Sequence, residues 1–334
     1  MMLEQPNFAD VQAAFERLNG HINPTPMMTS SLLNAWLGHT VLFKAECLQR
    51  TGSFKLRGAL NFLLKHCQIN GKPNLIVANS SGNHAQAVAY AGSLLDIPVQ
   101  IYSSDNISAV KAAATEDYGA QLHLFATRLE ADAAVKLAAE QANTLWIPPF
   151  NHPDIIAGQG TAVLEAITQS TEHTINAVFT PCGGGGLTSG SLLTTRALLP
   201  DAHMIGVEPE NANDASISLQ QGSIYTLPSP PNTLADGAAT PAVGEYTFPF
   251  LQQLDEFYEV NETQIAYWTQ WLHHLLKLHI EPTCCMTMAG VIAWLTDQPK
   301  GQTVLVVLSG GNISTHTMQQ LYQEDYLGQP PYLD

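Results

Sequence analysis

Residues 177–190 have the sequence AVFTPCGGGGLTSG, an apolar run followed by a glycine-rich turn and then a helical pattern. Four glycines in this position let backbone N–H groups face a ligand, and the start of a helix adds partial positive charge. A turn that needs a positive φ explains one or two of these glycines but not four. Because no Walker A lysine follows and the stretch lacks a GxGxxG pattern, the sequence predicts a phosphate cradle of another kind.

Short apolar runs alternate with helical patterns along most of the chain. Residues 75–80 and 99–104 have the pattern of buried strands, and residues 84–95 between them have a helical one. This alternation is typical of βαβ units and predicts an α/β fold with open, mostly parallel sheets flanked by helices. The proline-rich segment 223–248 interrupts the pattern and predicts a long irregular loop, which in a compact domain usually has a function.

Two more apolar runs end in polar or glycine-rich turns. These turns are NSSGNH at 79–84 and LSGGN at 308–312. In open α/β sheets, ligands bind at the carboxyl ends of the strands. We therefore expect both turns and the four-glycine turn to form one composite site.

The chain length predicts the number of domains, and the net charge argues against certain classes of partner. The chain has 334 residues, of which 45% are hydrophobic, and its 13 Lys+Arg against 29 Asp+Glu give a net charge of −16. About 150 residues per domain predicts about two domains, and the acidic balance argues against nucleic-acid and membrane partners. The chain lacks a spanning apolar run, a signal-peptide pattern and a disulfide pattern, so a cytoplasmic protein is expected.

Lys55 lies in the turn TGSFK, residues 51–55, just before an apolar helical pattern. A desolvated lysine would have a lowered pKa and would react with carbonyl groups. The alternative is a solvated lysine beside a helix that Ser53 caps. The spacing alone favours this alternative.

Seven motifs that follow one another along the chain carry a resemblance to a known family. They are TGSFKLRGA (51–59), SSGNHAQAVA (80–89), CGGGGLTSG (182–190), VEPENANDA (207–215), LADGA (234–238), IEPT (280–283) and LSGGN (308–312). With them the chain resembles the serine racemase and serine/threonine dehydratase group of pyridoxal-phosphate (PLP) enzymes of fold type II. The resemblance implies a small domain at 75–150, a large PLP-binding domain at 1–74 and 151–334, and a homodimer.

The resemblance also implies roles for individual residues around PLP. Lys55 would hold the cofactor as a Schiff base and move the Cα proton, with Phe54 beside the ring and Gly237 on its other face. Asn83 would bind the ring 3-hydroxyl, and Ser309 the pyridine nitrogen. The phosphate cup would consist of Gly183, Gly184, Gly185, Gly186 and Leu187. Because a neutral Ser309 moderates the electron sink, elimination from serine or threonine is favoured.

The substrate, a small hydroxy amino acid, would be gripped through its carboxylate by the turn at the start of the second motif. This turn contributes Ser80, Ser81, Asn83 and His84. Dehydratases resembling this chain usually carry alanine at position 81, whereas the racemase group carries serine. A hydroxyl across the cofactor from the lysine suits racemisation, which needs an acid/base on each face. Alternatively, Ser81 only binds the carboxylate or caps the helix.

Glu208, Ala212 and Asp214 match a divalent-cation site of the serine racemase-like proteins. Two carboxylates and a backbone carbonyl, completed by waters, suit Mg²⁺ or Ca²⁺. The alternative is a carboxylate pair that caps a helix.

These features predict a PLP-dependent L-serine/L-threonine dehydratase that forms pyruvate or 2-oxobutyrate and ammonia. Serine racemase is the close alternative. A 3-hydroxyaspartate dehydratase would need an extra cationic contact that the sequence does not place, since Arg128 is offset from the family's arginine. A non-catalytic PLP-binding protein is the alternative from another class, and the intact motifs argue against it.

Overall fold

The computed structural model describes residues 4–105 and 107–333, which form two sheets flanked by helices. The strands are β1 (Met27–Met28), β2 (Thr40–Ala45), β3 (Leu75–Asn79), β4 (Val99–Ser104), β5 (Gln121–Phe125), β6 (Thr144–Trp146), β7 (Ala177–Pro181), β8 (His203–Pro209), β9 (Glu256–Val260) and β10 (Thr303–Leu308). The helices are α1 (Phe8–Leu18), α2 (Ser31–Leu37), α3 (Lys55–Asn70), α4 (Asn83–Leu94), α5 (Ala109–Asp117), α6 (Arg128–Ala139), α7 (Pro153–Gln169), α8 (Gly186–Leu198), α9 (Asp214–Gln221), α10 (Phe248–Leu251), α11 (Glu262–Leu276), α12 (Pro282–Cys285), α13 (Thr287–Thr296) and α14 (Thr315–Leu321).

The larger sheet has the strand order β1-β2-β10-β7-β8-β9, and only its edge strand β1 runs antiparallel among the described strands. Every residue of β10 is buried, as expected for an apolar strand in the middle of a parallel sheet. Val304 and Val306 pack into one core with Trp268, while Leu305 and Val307 pack into another with Ile156. Helices therefore cover both faces of this sheet.

The smaller sheet has the strand order β5-β4-β3-β6 and is parallel throughout its described part. Its buried residues Ile76, Ala78 and Ile101 share a core with residues of α3 and α4. The predicted α/β fold with mostly parallel sheets is thus confirmed. The boundaries of the two domains at 74/75 and 150/151 stay a prediction, and the ends of the predicted large domain, residues 1 and 334, lie outside the described residues.

The connections between strands and helices decide where a site can form. β3 leads into α4, β7 leads into α8, and β10 ends just before Ser309. The segment 223–248 is irregular apart from a short 3₁₀ turn at Asp236–Ala238 and the first residue of α10, as its proline content predicts. None of the helices in the described part of the chain is long and apolar enough to cross a membrane.

Candidate active site

The ends of β3, β7 and β10 open onto one cavity of about 210 Å³. The cavity is lined by all of the residues that the sequence predicts for the cofactor and the substrate. These are Phe54, Lys55, Ser80, Ser81, Asn83, His84, Gly183, Gly184, Gly185, Gly186, Leu187, Gly237 and Ser309. The structure therefore brings together residues that are far apart along the chain.

Lys55 is the first residue of α3, and its side chain lies inside the cavity wall. Its Nζ donates a hydrogen bond to the carbonyl oxygen of Pro149 at 3.0 Å and lies 5.3 Å from the centre of the Phe54 ring. Burial, together with the nearby Arg128 guanidinium, lowers the pKa of Lys55 to about 8. Roughly a tenth of this amine is therefore neutral at pH 7, far more than at the ordinary pKa of a lysine, and this neutral form can react with a carbonyl group.

The solvated-lysine alternative does not describe this segment. The Ser53 hydroxyl is buried and has no hydrogen-bond partner among the described residues, so it does not cap α3. Instead, Ser53 forms a β-bridge with Gly310, and the N–H of Phe54 donates to the carbonyl oxygen of Ser309 at 3.0 Å. These backbone contacts fix the lysine segment to the end of β10.

The four-glycine turn lies at the start of α8, where the first N–H groups have no partner inside the helix. Of the four, only Gly185 has a positive φ, +88°. A Cβ on Gly184 would come within 2.3 Å of the Phe150 ring, and one on Gly183 within 3.0 Å of the Ala238 Cα atom. Close packing thus explains why positions 183 and 184 are glycine, although the backbone conformation there does not require it. The bare turn fits an anion such as phosphate at the helix start.

The turn after β3 holds a second helix start against the cavity. Gly82 is the N-cap of α4, and the Ser80 hydroxyl accepts a hydrogen bond from its N–H at 3.1 Å. Ser81 is exposed on the cavity wall. The His84 ring bonds to the Ile147 carbonyl oxygen at 2.9 Å, and burial lowers its pKa to about 3, so the ring is neutral. The His84 ring therefore adds no positive charge to the cavity.

Asn83 is held by two residues that the sequence analysis did not single out. Its amide nitrogen lies 3.0 Å from both carboxylate oxygens of Glu281, and its amide oxygen accepts from the Asn312 side chain at 2.8 Å. Glu281 also accepts from the Asn312 N–H at 2.8 Å. Burial raises the pKa of Glu281 to about 7, partly offset by Lys111. Glu281 and Asn312 both lie within recognised motifs, IEPT and LSGGN, which is the signal that could have found them.

Lys111 of α5 and Asp236 of the irregular segment form an ion pair of 2.6 Å at the cavity. Lys111 is nearly buried, and its pKa is raised by Asp236 and Glu281 against the effect of burial. This pair joins a helix of the smaller sheet to the loop that carries Gly237. No sequence pattern indicated it, because the two residues are 125 positions apart.

Arg128 also lines the cavity, so the structure brings a further cation to the cavity wall that the sequence alone did not place there. Its Nε lies 3.9 Å from an Asp132 carboxylate oxygen. Asn79 donates a hydrogen bond of 2.6 Å to the other oxygen of Asp132 and accepts one of 3.1 Å from the Trp146 ring. Arg128 thus belongs to a chain of contacts that ends at β6.

Glu208, Ala212 and Asp214 are buried together at the end of β8 and the start of α9, away from the cavity lining. Glu208 accepts from the N–H groups of Ala215 at 3.3 Å and Ser216 at 2.7 Å, so it does cap α9. Neither carboxylate oxygen of Asp214 accepts a hydrogen bond of ordinary geometry among the described residues, although the backbone N–H groups of Asp214 and Val243 lie close enough to oppose the rise in its pKa. Burial raises the pKa of Glu208 to about 9 and that of Asp214 to about 7.

The unpartnered Asp214 carboxylate fits a bound cation, which would satisfy oxygens that are costly to bury alone. No cluster of three or more His, Cys, Asp or Glu suited to a metal is found in residues 4–105 and 107–333. The set therefore offers a cation two carboxylates and a backbone carbonyl, and a divalent ion there stays a proposal.

Comparison with known proteins extends over nearly the whole chain. A family described as pyridoxal-phosphate dependent enzyme matches residues 18–310. The L-threo-3-hydroxyaspartate ammonia-lyase of Saccharomyces cerevisiae is 40% identical, covering 92% of this chain and 94% of that protein. The serine racemase of Schizosaccharomyces pombe is 36% identical, covering 92% of this chain and 94% of that protein. The crystal structure of a threonine deaminase from T.th. has a TM-score of 0.87 and 38% identity, covering 92% of this chain and 99% of that one.

Proposed function

The chain belongs to the pyridoxal-phosphate dependent enzymes, and within this family we propose that it is an ammonia-lyase for small 3-hydroxy amino acids, L-serine and L-threonine among them. The observation that carries the proposal is the single cavity in which Lys55, the four-glycine turn and the turn at 80–84 meet. Because the compared relatives are named ammonia-lyase, racemase and deaminase, an enzyme is supported over a non-catalytic PLP-binding protein.

The residues present fit PLP. The glycine turn has no room for a Cβ at Gly184 and offers N–H groups at the start of α8 to a phosphate. Lys55 offers an amine with a lowered pKa to the aldehyde, and Ser309 offers a hydroxyl to the pyridine nitrogen. When bound, PLP supplies an electron sink that stabilises the negative charge left when the substrate loses its Cα proton.

The residues of this chain then carry out the elimination of water from the substrate. The start of α4 binds the substrate carboxylate through its N–H groups and the Ser80 hydroxyl, which fixes the Cα–H bond relative to Lys55. The Lys55 amine takes the Cα proton and gives it to the β-hydroxyl, which leaves as water. The unsaturated amine that results takes up water and yields a 2-oxo acid and ammonia, so pyruvate forms from serine and 2-oxobutyrate from threonine.

Racemisation of serine is the second candidate, and Ser81 is the observation that favours it. The Ser81 hydroxyl is exposed to the cavity, and the relative from S. pombe is named a serine racemase. If Ser81 returns a proton to the face opposite Lys55, the same site forms D-serine. If it only binds the carboxylate, elimination is the sole outcome.

The same elimination applies to 3-hydroxyaspartate, for which the relative from S. cerevisiae is named. That substrate also carries a Cα proton and a β-hydroxyl, so its chemistry at Lys55 is unchanged. We further propose Mg²⁺ or Ca²⁺ at Glu208, Ala212 and Asp214, and, from the family resemblance, a cytoplasmic homodimer with substrate closing the cleft between two domains.

The test is incubation of purified, PLP-loaded protein with L-serine and, separately, L-threonine. We expect that each of the two substrates yields 2-oxo acid and ammonia in equimolar amounts. D-serine, measured by chiral chromatography, would establish racemisation and assign Ser81 to proton transfer. Absence of 2-oxo acid from serine, threonine and 3-hydroxyaspartate would contradict the proposed function.

A further inference from the structure

One positive charge at the cavity is held neither by the proposed contact with the cofactor nor by a hydrogen-bonded ion pair. Among the described residues that line it, the cationic side chains are Lys55, Lys111 and Arg128, since His84 is neutral. Lys55 is assigned to the cofactor, and Lys111 is paired with Asp236 at 2.6 Å. The Arg128 side chain is 55% exposed, and its 3.9 Å distance from Asp132 is too long for a hydrogen bond. Its planar donors therefore remain available to a ligand.

Local helix stability accounts for an arginine at this position only weakly, because its i,i+4 ion pair with Asp132 is long and partly exposed. Arg128 is the first residue of α6, where the partial positive charge of the helix start disfavours a cation. The helix start is already capped by Thr127, which exchanges hydrogen bonds with Glu130. Arg128 thus stands in an electrostatically unfavourable place beside the cavity, as expected of a residue that binds an anion there.

The contacts of Arg128 place it next to the turn that takes the substrate's α-carboxylate. Asp132, one helical turn further along α6, accepts the 2.6 Å hydrogen bond from Asn79. Asn79 is the last residue of β3 and directly precedes Ser80. The ion-pair partner of Arg128 is therefore hydrogen-bonded to the residue that directly precedes the carboxylate-binding turn, which suits two carboxylates that are separated by two carbon atoms.

Resting on the proposed function, we propose that the preferred substrate is a 3-hydroxy amino acid with a second carboxylate, as in 3-hydroxyaspartate, and that the Arg128 guanidinium binds this carboxylate. A guanidinium binds a carboxylate through two parallel hydrogen bonds, a geometry that an ammonium lacks. 3-Hydroxyaspartate has two carboxylates and one ammonium, a net charge of about −1 near neutral pH. The chain's net charge of −16 repels such a substrate, and a cation at the cavity offsets part of this repulsion. The three acidic residues in the described part of the cavity wall each have a partner of their own: Asp132 accepts a hydrogen bond from Asn79, Asp236 is paired with Lys111, and Glu281 accepts a hydrogen bond from Asn83.

The reaction balances with this substrate. The Cα proton and the β-hydroxyl leave as water, and hydrolysis of the unsaturated amine takes one water back. One 3-hydroxyaspartate thus gives one ammonia and one 2-oxo acid that keeps both carboxylates. No oxidant or reductant is required.

The test compares Arg128→Met with Lys136→Met in the PLP-loaded enzyme. Lys136 is an exposed cation on the same helix and does not line the cavity, so it is a matched control. Loss of a charged hydrogen bond to substrate predicts a fall of roughly 10- to 100-fold in kcat/KM for L-threo-3-hydroxyaspartate. For L-serine, which has no second carboxylate, we expect a change below about threefold, and Lys136→Met should alter neither substrate.

Two further readouts separate binding from an indirect effect through Lys55. L-Aspartate has the second carboxylate but no β-hydroxyl, so its inhibition constant against L-serine should rise in Arg128→Met by the same factor as kcat/KM falls. Arg128→Lys should recover part of the loss, because lysine restores the positive charge but lacks the two parallel N–H donors of the guanidinium. Any change in the pKa of Lys55 affects both substrates and cancels in their ratio.

Equal losses for both substrates, or an unchanged preference in Arg128→Met, would overturn the assignment of Arg128. In either case, 2-oxo acid formed from serine by the wild type would leave the proposed function standing. A wild-type enzyme that prefers L-serine over L-threo-3-hydroxyaspartate would overturn the substrate class. A wild type that binds PLP yet forms no 2-oxo acid from any of these substrates would overturn both proposals.

Discussion

Lys55 shows how burial turns a common residue into a reactive one. The sequence places it in a Gly/Ser turn, and that spacing alone predicts an ordinary solvated lysine. Only tertiary structure adds the Pro149 carbonyl, the Phe54 ring and the Arg128 charge around its amine. The family resemblance identified the lysine correctly as a member of the cavity, whereas reasoning from local spacing did not.

The lowered pKa predicts how PLP-free protein loads its cofactor as pH changes. Since only the neutral amine attacks the aldehyde, the loading rate should rise about tenfold per pH unit below pH 8 and level off above it. Stopped-flow absorbance measures this rate. Arg128→Met should move the curve to higher pH, because the arginine helps lower the pKa of Lys55. A rate independent of pH from about 6 to 9 would contradict a titrating lysine with this pKa.

The ion pair of Lys111 with Asp236 and the contact of Glu281 with Asn83 could not be predicted from local spacing. Each contact joins elements whose relative place follows from packing, and the partners are 125 and 198 positions apart. Pattern and spacing describe neighbours along one strand or helix. They do not tell which helix start ends up facing a glycine turn.

Helices and strands with strong apolar periodicity could be predicted from the sequence, whereas those with weak periodicity could not. β10, with its apolar run VLVVL, matches its predicted place, and the glycine turn does begin a helix. β9 was missed because its sequence EFYEV carries two glutamates and lies half-exposed at the edge of its sheet. Similarly, α2 and α14 are seven residues each, too short to show a clear period.

The packing of the glycine turn against Phe150 makes a prediction about cofactor affinity. A Cβ at Gly184 would lie 2.3 Å from the ring, so Gly184→Ala must displace the turn or the ring. Overpacking of this kind costs about 1–3 kcal/mol, which predicts a Kd for PLP higher by roughly 5- to 150-fold. Fluorescence titration measures it.

Two variants control for that effect. Gly328→Ala places its Cβ in open space and should leave the Kd unchanged. Gly184→Ala combined with Phe150→Ala removes the clash and should regain part of the affinity. A double variant as weak as Gly184→Ala would show that the clash is not the cause.

The junction of β8 and α9 makes a prediction about cation binding. A divalent ion that satisfies the unpartnered Asp214 carboxylate should stabilise the fold, so adding Mg²⁺ or Ca²⁺ to EDTA-treated protein should raise Tm by a few degrees. Asp214→Asn should abolish the shift, whereas Glu210→Gln, at an exposed neighbour, should keep it. An unchanged Tm in wild-type protein would count against the site.

At the scale of the whole molecule, two separately packed sheets meet at the cavity. Their cores are distinct, and the residues proposed to bind the cofactor and the substrate line the cavity from both sides. The sequence could predict this α/β architecture from its alternating pattern, because that pattern repeats along the chain. The contacts across the cavity, such as Lys111 with Asp236, depend on how the two sheets sit together.

The ion pair between Lys111 and Asp236 predicts that the two sides of the cavity are energetically coupled. A double-mutant cycle with Lys111→Met and Asp236→Asn should give a coupling free energy of about 1 kcal/mol, since Asp236 is half-exposed and screened by solvent. Denaturant unfolding measures each variant. Additive effects of the two substitutions would mean that the pair does not hold the sides together.

The central claim is that Lys55 holds PLP in this cavity and starts the elimination from there. The most direct measurement is reduction of the PLP-loaded protein with borohydride, which fixes the cofactor covalently to its lysine, followed by peptide mass mapping. We expect the label on the peptide that contains Lys55, and its loss together with 2-oxo acid formation in Lys55→Ala, but not in Lys65→Ala on the same helix. A label on another lysine, or full activity of Lys55→Ala, would contradict the account.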